Sequence, residues 1–195
     1  MTKKVLVLKG SPRENGNSSV LADQVRAGAE GGGAEVESVY LHGLDIRPCD
    51  GCFFCEGSGV CVVEDDMQSI YPKLRRADAI VIASPVYWFT YSAQVKLCVD
   101  RWLALETSDG NELRGKQIGI VLTYGDTDIF TSGGINAIHA FQSLFGYIGA
   151  EIIGYVYGTG NKAGEVKDQP KLMSRALELG QKLASSDGVS KAVQD

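Results

Sequence analysis

Apolar positions along this chain keep two different rhythms, and the rhythms alternate. Five short segments, "KKVLVLKG", "AEVESVYL", "DAIVIASPVY", "KQIGIVLTYG" and "EIIGYVYGTG", carry compact apolar runs or a period near two, which predicts strands. Between them the apolar spacing widens to that of a helix. Leu21, Val25 and Ala29 recur at i, i+4, i+8 behind Asn17 or Ser18 as a cap, and "GGG" at 31–33 stops the run. "DDMQSIYPKLRRA" opens on Asp65 and Asp66, which suit a helix start, and holds Pro72 inside. "SAQVKLCVDRWLAL" spaces Val95, Cys98, Val99, Trp102 and Leu103 helically. "GGINAIHAFQSLFGYIG" and "QPKLMSRALELGQKLAS" complete the set, the last with Leu172, Met173, Ala176, Leu177 and Leu183 on one face. A frayed tail is expected after Ser186.

Strands and helices that alternate to the end imply a parallel sheet with helices on both faces. Five strands fit the order 2-1-3-4-5, an α/β three-layer sandwich of the flavodoxin-like kind, with its ligand at the carboxyl ends of the strands. The expected organisation is one domain over 1–195, with a cysteine-rich loop at 47–64 inserted after strand 2. A chain of 195 residues buries enough surface to fold without disulfide or metal staples.

Composition narrows the partners. Twenty-four acidic against 19 basic residues give a net charge of −5, and no long basic run offsets it, so nucleic-acid binding is not expected. The apolar run at 5–8 is too short for a signal peptide, and no segment reaches membrane-spanning length. The expected setting is cytoplasmic, where cysteines stay reduced.

In this architecture the loops after strands 1, 3 and 4 meet at one sheet edge. "GSPRENGNSS" offers the hydroxyls of Ser11, Ser18 and Ser19, the Asn17 amide, the Arg13 guanidinium and free N–H groups at a helix start. That set makes an anion cradle, and without a GK[ST] or GxGxxG signature a monophosphate fits it best. "SPVYWFTYSAQ" crowds Tyr87, Trp88, Phe89 and Tyr91 behind Pro85, which suits a flat conjugated ring. "TYGDTD" adds Tyr124 and, at Gly125, room for close backbone approach. Phosphate cradle, aromatic loop and glycine-containing loop together describe a site for flavin mononucleotide.

The remaining chemistry lies in "CDGCFFCEGSGVC", which places Cys49, Cys52, Cys55 and Cys61 within thirteen residues at C-x2-C-x2-C-x5-C spacing. Four thiolates so spaced suit a 4Fe–4S cluster, with Gly51, Gly57 and Gly59 letting the backbone wrap it and Phe53 and Phe54 shielding it. Zinc, disulfides and no metal at all remain open readings. Cys98 sits at core spacing instead, and His42 and His139 have no metal-ligand partners in sequence.

The three segments "GSPRENGNSS", "CDGCFFCEGSGVCVVEDDM" and "SPVYWFTYSAQVKLCVDRW", in that order, resemble the NADPH-dependent FMN reductase family, and within it the iron–sulfur flavoproteins. The resemblance runs from residue 3 to about 160. It implies phosphate contacts at Ser11, Arg13, Asn17, Ser18 and Ser19, and ring contacts at Pro85, Val86, Tyr87, Trp88 and Phe89, with Thr123, Tyr124 and Gly125 alongside. Phe89 stands where many members carry glycine. It also implies a 4Fe–4S cluster on the four loop cysteines, a redox partner such as ferredoxin or NAD(P)H, and a homodimer or homotetramer. Cluster-free members keep similar cysteine loops, so a cluster-free NAD(P)H-dependent FMN or quinone reductase is the alternative expectation.

Overall fold

The structure, a computed structural model, describes residues 2–185, so the expected fraying after Ser186 lies outside the described residues. Five strands form the main sheet: β1 (Lys4–Lys9), β2 (Glu35–Tyr40), β3 (Ala79–Tyr87), β4 (Gln117–Tyr124) and β5 (Glu151–Thr159). They pair in the order β2-β1-β3-β4-β5, every neighbour parallel, as the alternation predicted. Five α-helices connect or follow them: α1 (Asn17–Gly31), α2 (Met67–Arg76), α3 (Ala93–Asp100), α4 (Gly134–Ile148) and α5 (Pro170–Ala184).

The strand alternation builds two cores. Leu6, Leu8, Ile80 and Ile82 point into a cluster with Ile70 and Leu74 of α2 and Phe141 and Phe145 of α4. Val5, Val7, Ala79 and Val81 point the other way, onto Leu21 and Val25 of α1 and Leu179 and Leu183 of α5. On this second face α1 and α5 come very close. A Cβ on Gly28 would stand 2.0 Å from the Leu177 carbonyl oxygen, and one on Gly180 1.9 Å from that of Val25. This contact sets the buried face of α5 as Leu172, Ala176, Leu179, Gly180 and Leu183, leaving Met173 and Leu177 half-buried rather than central.

The strand expected over "DAIVIASPVY" runs through Tyr87, Ser84 and Pro85 pairing with Leu122 and Thr123 of β4, so the first four residues of the aromatic segment counted from Ser84 belong to the strand. The chain then reverses at Trp88 and Phe89, both left-handed (φ 46° and 66°), and Thr90–Tyr91 returns antiparallel. Tyr91 therefore stacks on Phe141, with ring centroids 4.8 Å apart, instead of joining a ligand surface. The helix expected to continue to Leu105 tightens after Asp100 into a 3-10 stretch, Arg101–Leu105, and a small hairpin at Glu106–Thr107 and Gly110–Asn111 follows it.

Candidate functional site

The carboxyl ends of β1, β3 and β4 converge, and buried serines lock two of them. The Ser92 hydroxyl donates to the Gly10 carbonyl at 2.6 Å, and the Ser92 N–H donates to the Ser84 hydroxyl at 2.9 Å. Both side chains are fully excluded from solvent. One polar cluster thus joins the end of β1, the end of β3 and the cap of α3. The loops they carry enclose an open cleft of about 260 Å³, lined by Ser11, Arg13, Asn17, Ser18, Pro85, Val86, Tyr87, Thr123, Tyr124 and Gly125.

At one end of this cleft α1 begins with glycine at its cap position and no side-chain cap, so its first N–H groups have no partner within the helix. Ser11 folds the loop back by donating to the Arg13 carbonyl (2.9 Å) and accepting from the Arg13 N–H (3.0 Å). The Ser18 hydroxyl is buried and, among the described residues, finds no hydrogen-bond partner. A buried hydroxyl left unpaired beside free helix N–H groups fits a phosphate oxygen, which would satisfy both. Ser19 is placed behind this cradle, its hydroxyl donating to the Arg13 carbonyl at 3.3 Å. Trp88 and Phe89 do not line the cleft itself. They border a second hollow with Val86, Tyr124, Gly125 and Asp126, and Trp88 is 92% exposed.

A fourth loop, after β5, joins the cleft through Gly160 and Asn161, which the sequence reading did not single out. The Gly160 N–H donates to the Tyr124 carbonyl at 2.8 Å, and the Asn161 amide donates to the Gly125 carbonyl at 3.0 Å. A Cβ on Gly160 would stand 2.4 Å from the Asn17 amide nitrogen, so glycine is needed where this loop crosses α1. The "GTGN" that ends β5 was the available signal. Burial pushes the Tyr124 hydroxyl above its ordinary pKa, aided by Tyr157 and Asp128, so it stays neutral where it borders the cleft.

The cysteine loop leaves the sheet after β2 and rejoins it at α2. Cys49 and Cys52 are exposed, Cys61 is half-buried and Cys55 is buried. Burial pushes the Cys55 thiol up, and the neighbouring Cys61 pushes it the same way, followed by Cys49 and Cys52. Among the described residues, however, no three Cys, His, Asp or Glu side chains are gathered closely enough to hold a metal ion. The donor set fits a 4Fe–4S cluster in kind and number. Phe53 and Phe54 are each 62% exposed and shield nothing here.

Two other expectations land elsewhere. Cys98 is in the core, where burial pushes its thiol up to about 12. His139 is exposed on α4, while His42 meets the Gln94 amide at 3.2 Å beside the start of α3. Asp65, read from sequence as a helix-start charge, does accept from the Met67 N–H at 3.0 Å, yet it is also the buried partner of Arg101. Sequence spacing could not show that pairing, because the two residues lie 36 positions apart. No described helix is long and apolar enough to cross a membrane.

With this geometry in place, comparison with known proteins is specific. A family model described as NADPH-dependent FMN reductase matches residues 3–164. An iron–sulfur flavoprotein of Archaeoglobus fulgidus is 32% identical over 190 residues, covering 94% of this chain and 80% of that protein. A Bacillus subtilis protein provisionally named as an NAD(P)H-dependent FMN-containing oxidoreductase is 29% identical, over 95% of this chain and 99% of its own. Among solved structures, Trp repressor binding protein from Bacillus subtilis superposes with a TM-score of 0.68 at 27% identity, over 91% of this chain and 98% of that one.

Proposed function

The chain belongs to the NADPH-dependent FMN reductase family and is thus a flavin-dependent oxidoreductase, and from that premise we propose that it moves electrons between FMN in the cleft and a 4Fe–4S cluster on the cysteine loop. In this reading residues 1–195 act as one FMN-binding domain, with 47–64 as its second redox segment. The observation that carries the FMN half is the unpaired, buried Ser18 hydroxyl at the open start of α1.

The roles of the chain's own groups follow from their placement. Ser11, Asn17, Ser18 and the first N–H groups of α1 would hold the phosphate, and Arg13, exposed at the rim, would add its charge. Ser19 fixes the loop behind them. Pro85, Val86, Tyr87, Thr123, Tyr124 and Gly125 would bound the ring, while Trp88 and Phe89 stand over the adjoining hollow, where a second substrate would approach. FMN supplies one- and two-electron transfer when bound, and the protein contributes position and electrostatics. Cys49, Cys52, Cys55 and Cys61 would hold the cluster, whose chemistry is single-electron transfer.

The external donor or acceptor in this reading is NAD(P)H or a one-electron protein such as ferredoxin. The unit is a homodimer or homotetramer, which would cover the exposed aromatics Trp88 and Phe130. A second reading, a cluster-free NAD(P)H-dependent FMN or quinone reductase, is favoured by the ungathered thiols and by the Bacillus subtilis relative, whose name mentions FMN and no cluster.

Iron and acid-labile sulfide per flavin, measured on protein purified without oxygen, separate the two. About four irons per FMN support the two-centre reading. Full flavin occupancy without iron, together with rapid flavin reduction by NAD(P)H, would establish the cluster-free reductase instead.

A further inference from the structure

The cysteine loop is exposed at its tip and held at its base by several side chains, of which Arg101 makes the most contacts. Arg101 begins the 3-10 stretch after α3. Its side chain and that of Asp65 are both entirely excluded from solvent. Nη1 donates to Asp65 Oδ2 at 2.6 Å and to the Arg47 carbonyl at 3.0 Å. Nη2 donates to the Val63 carbonyl at 3.2 Å, to Asp65 Oδ1 at 3.3 Å and to Cys61 Sγ at 3.3 Å. One planar fork therefore grips both stems of the loop, at 47 and at 61–65.

Neighbouring groups reinforce both stems: the Arg47 N–H donates to Asp65 Oδ2 at 2.9 Å and its guanidinium to the Glu64 carbonyl at 2.6 Å, so the base is also closed without Arg101. The Gln68 amide donates to the Cys61 and Val63 carbonyls at 2.9 and 2.8 Å. Arg75 donates to the Gly59 carbonyl at 3.1 Å, and the Tyr71 hydroxyl donates to the Arg101 carbonyl at 3.0 Å. Cys49 and Cys52 stand exposed in the other half of the loop, where Cys52 donates its N–H to Asp50 at 3.1 Å.

The main-chain carbonyls and Asp65 account for the fork's structural duty. Its contact with a sulfur atom is additional. A guanidinium N–H aimed at a thiolate sulfur stabilises negative charge there, and donors to ligating sulfurs are among the levers that set a cluster's reduction potential. We propose that Arg101 is a positioning residue for the cysteine loop: it presets the Cys61 sulfur before any metal arrives and favours added negative charge on that sulfur afterwards. The presetting half stands on the contacts alone, whereas the second half rests on the cluster reading above.

Arg101→Lys tests both halves, since it keeps the charge but replaces a planar fork by one ammonium that cannot span both stems. In metal-free protein, hydrogen exchange of residues 47–64 should quicken in the variant while FMN affinity stays at the parent value. After loading both proteins with Fe²⁺ and sulfide without oxygen, the cluster potential, read against the flavin potential of the same sample, should be more negative in the variant. A merely structural clamp would loosen the loop without moving the potential of the iron that is retained, and that outcome overturns the second half. Unchanged exchange overturns the first.

If the parent itself takes up no iron, the cluster reading fails and exchange alone judges Arg101. If the lysine variant does not fold, the iron-loaded chain labelled with guanidino-¹⁵N arginine, in an Arg47→Lys background, is examined by pulsed EPR of the reduced cluster. A nitrogen coupling supports the Arg101 contact with Cys61, and its absence overturns it.

Discussion

The cleft at the strand ends and the cysteine loop are organised in opposite ways. The cleft is finished by the fold: serines fully excluded from solvent tie β1, β3 and α3 together, and the free helix start and the Ser18 hydroxyl already stand where an anion would go. The loop is tied at its base, by the buried Arg101–Asp65 pair and the bonds of Arg47 and Gln68 around it, while two of its four thiols face solvent and, among the described residues, no three potential ligands gather for a metal ion. Regular elements can pre-build a site because their backbone bonds are satisfied locally and their side chains inherit fixed directions. A glycine-rich loop has no such frame, so its thiols are not fixed by regular structure in the same way. The difference teaches that residues close together in sequence need not be fixed relative to one another by the fold.

The largest test of this contrast removes the base of the loop. Asp65→Ala leaves the Arg101 guanidinium buried without its counter-charge, and breaking such a pair costs about 3–5 kcal/mol. Urea unfolding should show that loss, while the cleft of the folded fraction keeps its FMN affinity. Burial alone would push the Asp65 carboxyl up, but hydrogen bonds from Arg101, Arg47 and Met67 outweigh it and hold the group below its ordinary value. A carboxylate depressed in the folded state stabilises fully above its unfolded pKa of about 3.9, and this contribution fades as the pH falls through the folded value. The parent should therefore lose stability on that acid side, and the alanine variant should have lost this part of the dependence. A cost under about 1 kcal/mol would show the loop base to be weakly held.

A smaller effect, of opposite sign in two assays, tests the cleft. Ser18→Ala removes a desolvated hydroxyl that has no partner, so the FMN-free protein should gain about 1 kcal/mol. The same change removes a donor to a charged phosphate, which should weaken FMN binding by roughly 10- to 100-fold while riboflavin, lacking the phosphate, binds as before. Equal losses for both flavins would place the hydroxyl away from the phosphate.

The same contrast explains what could be read in advance. The parallel sheet covered on both faces followed from alternation, because compact runs such as Val5–Leu8 are buried on both sides, whereas the strand order came from the flavodoxin-like arrangement that five such strands fit. That Ser11, Asn17 and Ser18 line one cleft was legible because they are close together in sequence, in the loop after β1 and the start of α1. Gly160 and Asn161 were not, since their role depends on where β5 ends relative to β4 and α1. Arg101 was hidden for a similar reason. In sequence it is one charge in an apolar helix pattern, and only the fold brings Asp65, Arg47 and Cys61 to it.

The smallest predicted effect concerns the turn between the two hollows. Trp88 adopts φ of 46° while 92% exposed, so in an isolated protomer it carries left-handed strain with little packing in return. A left-handed residue with a Cβ costs roughly 1 kcal/mol, which asparagine largely avoids. Against that stands one edge-on contact with Phe89, 6.5 Å between ring centres, worth about 0.5 kcal/mol. Phe89 itself should hold its place, because it packs on Gly133 and its carbonyl accepts from the Asn136 amide at 3.2 Å. Trp88→Asn should therefore raise stability by about 0.5 kcal/mol in dilute protein that sediments as a monomer. A loss of stability, accompanied by weaker self-association, would mean that the indole is buried between copies. The turn's strain would then be offset at an interface, and the contrast between a finished cleft and an unfinished loop would extend to a cleft whose rim a second copy completes.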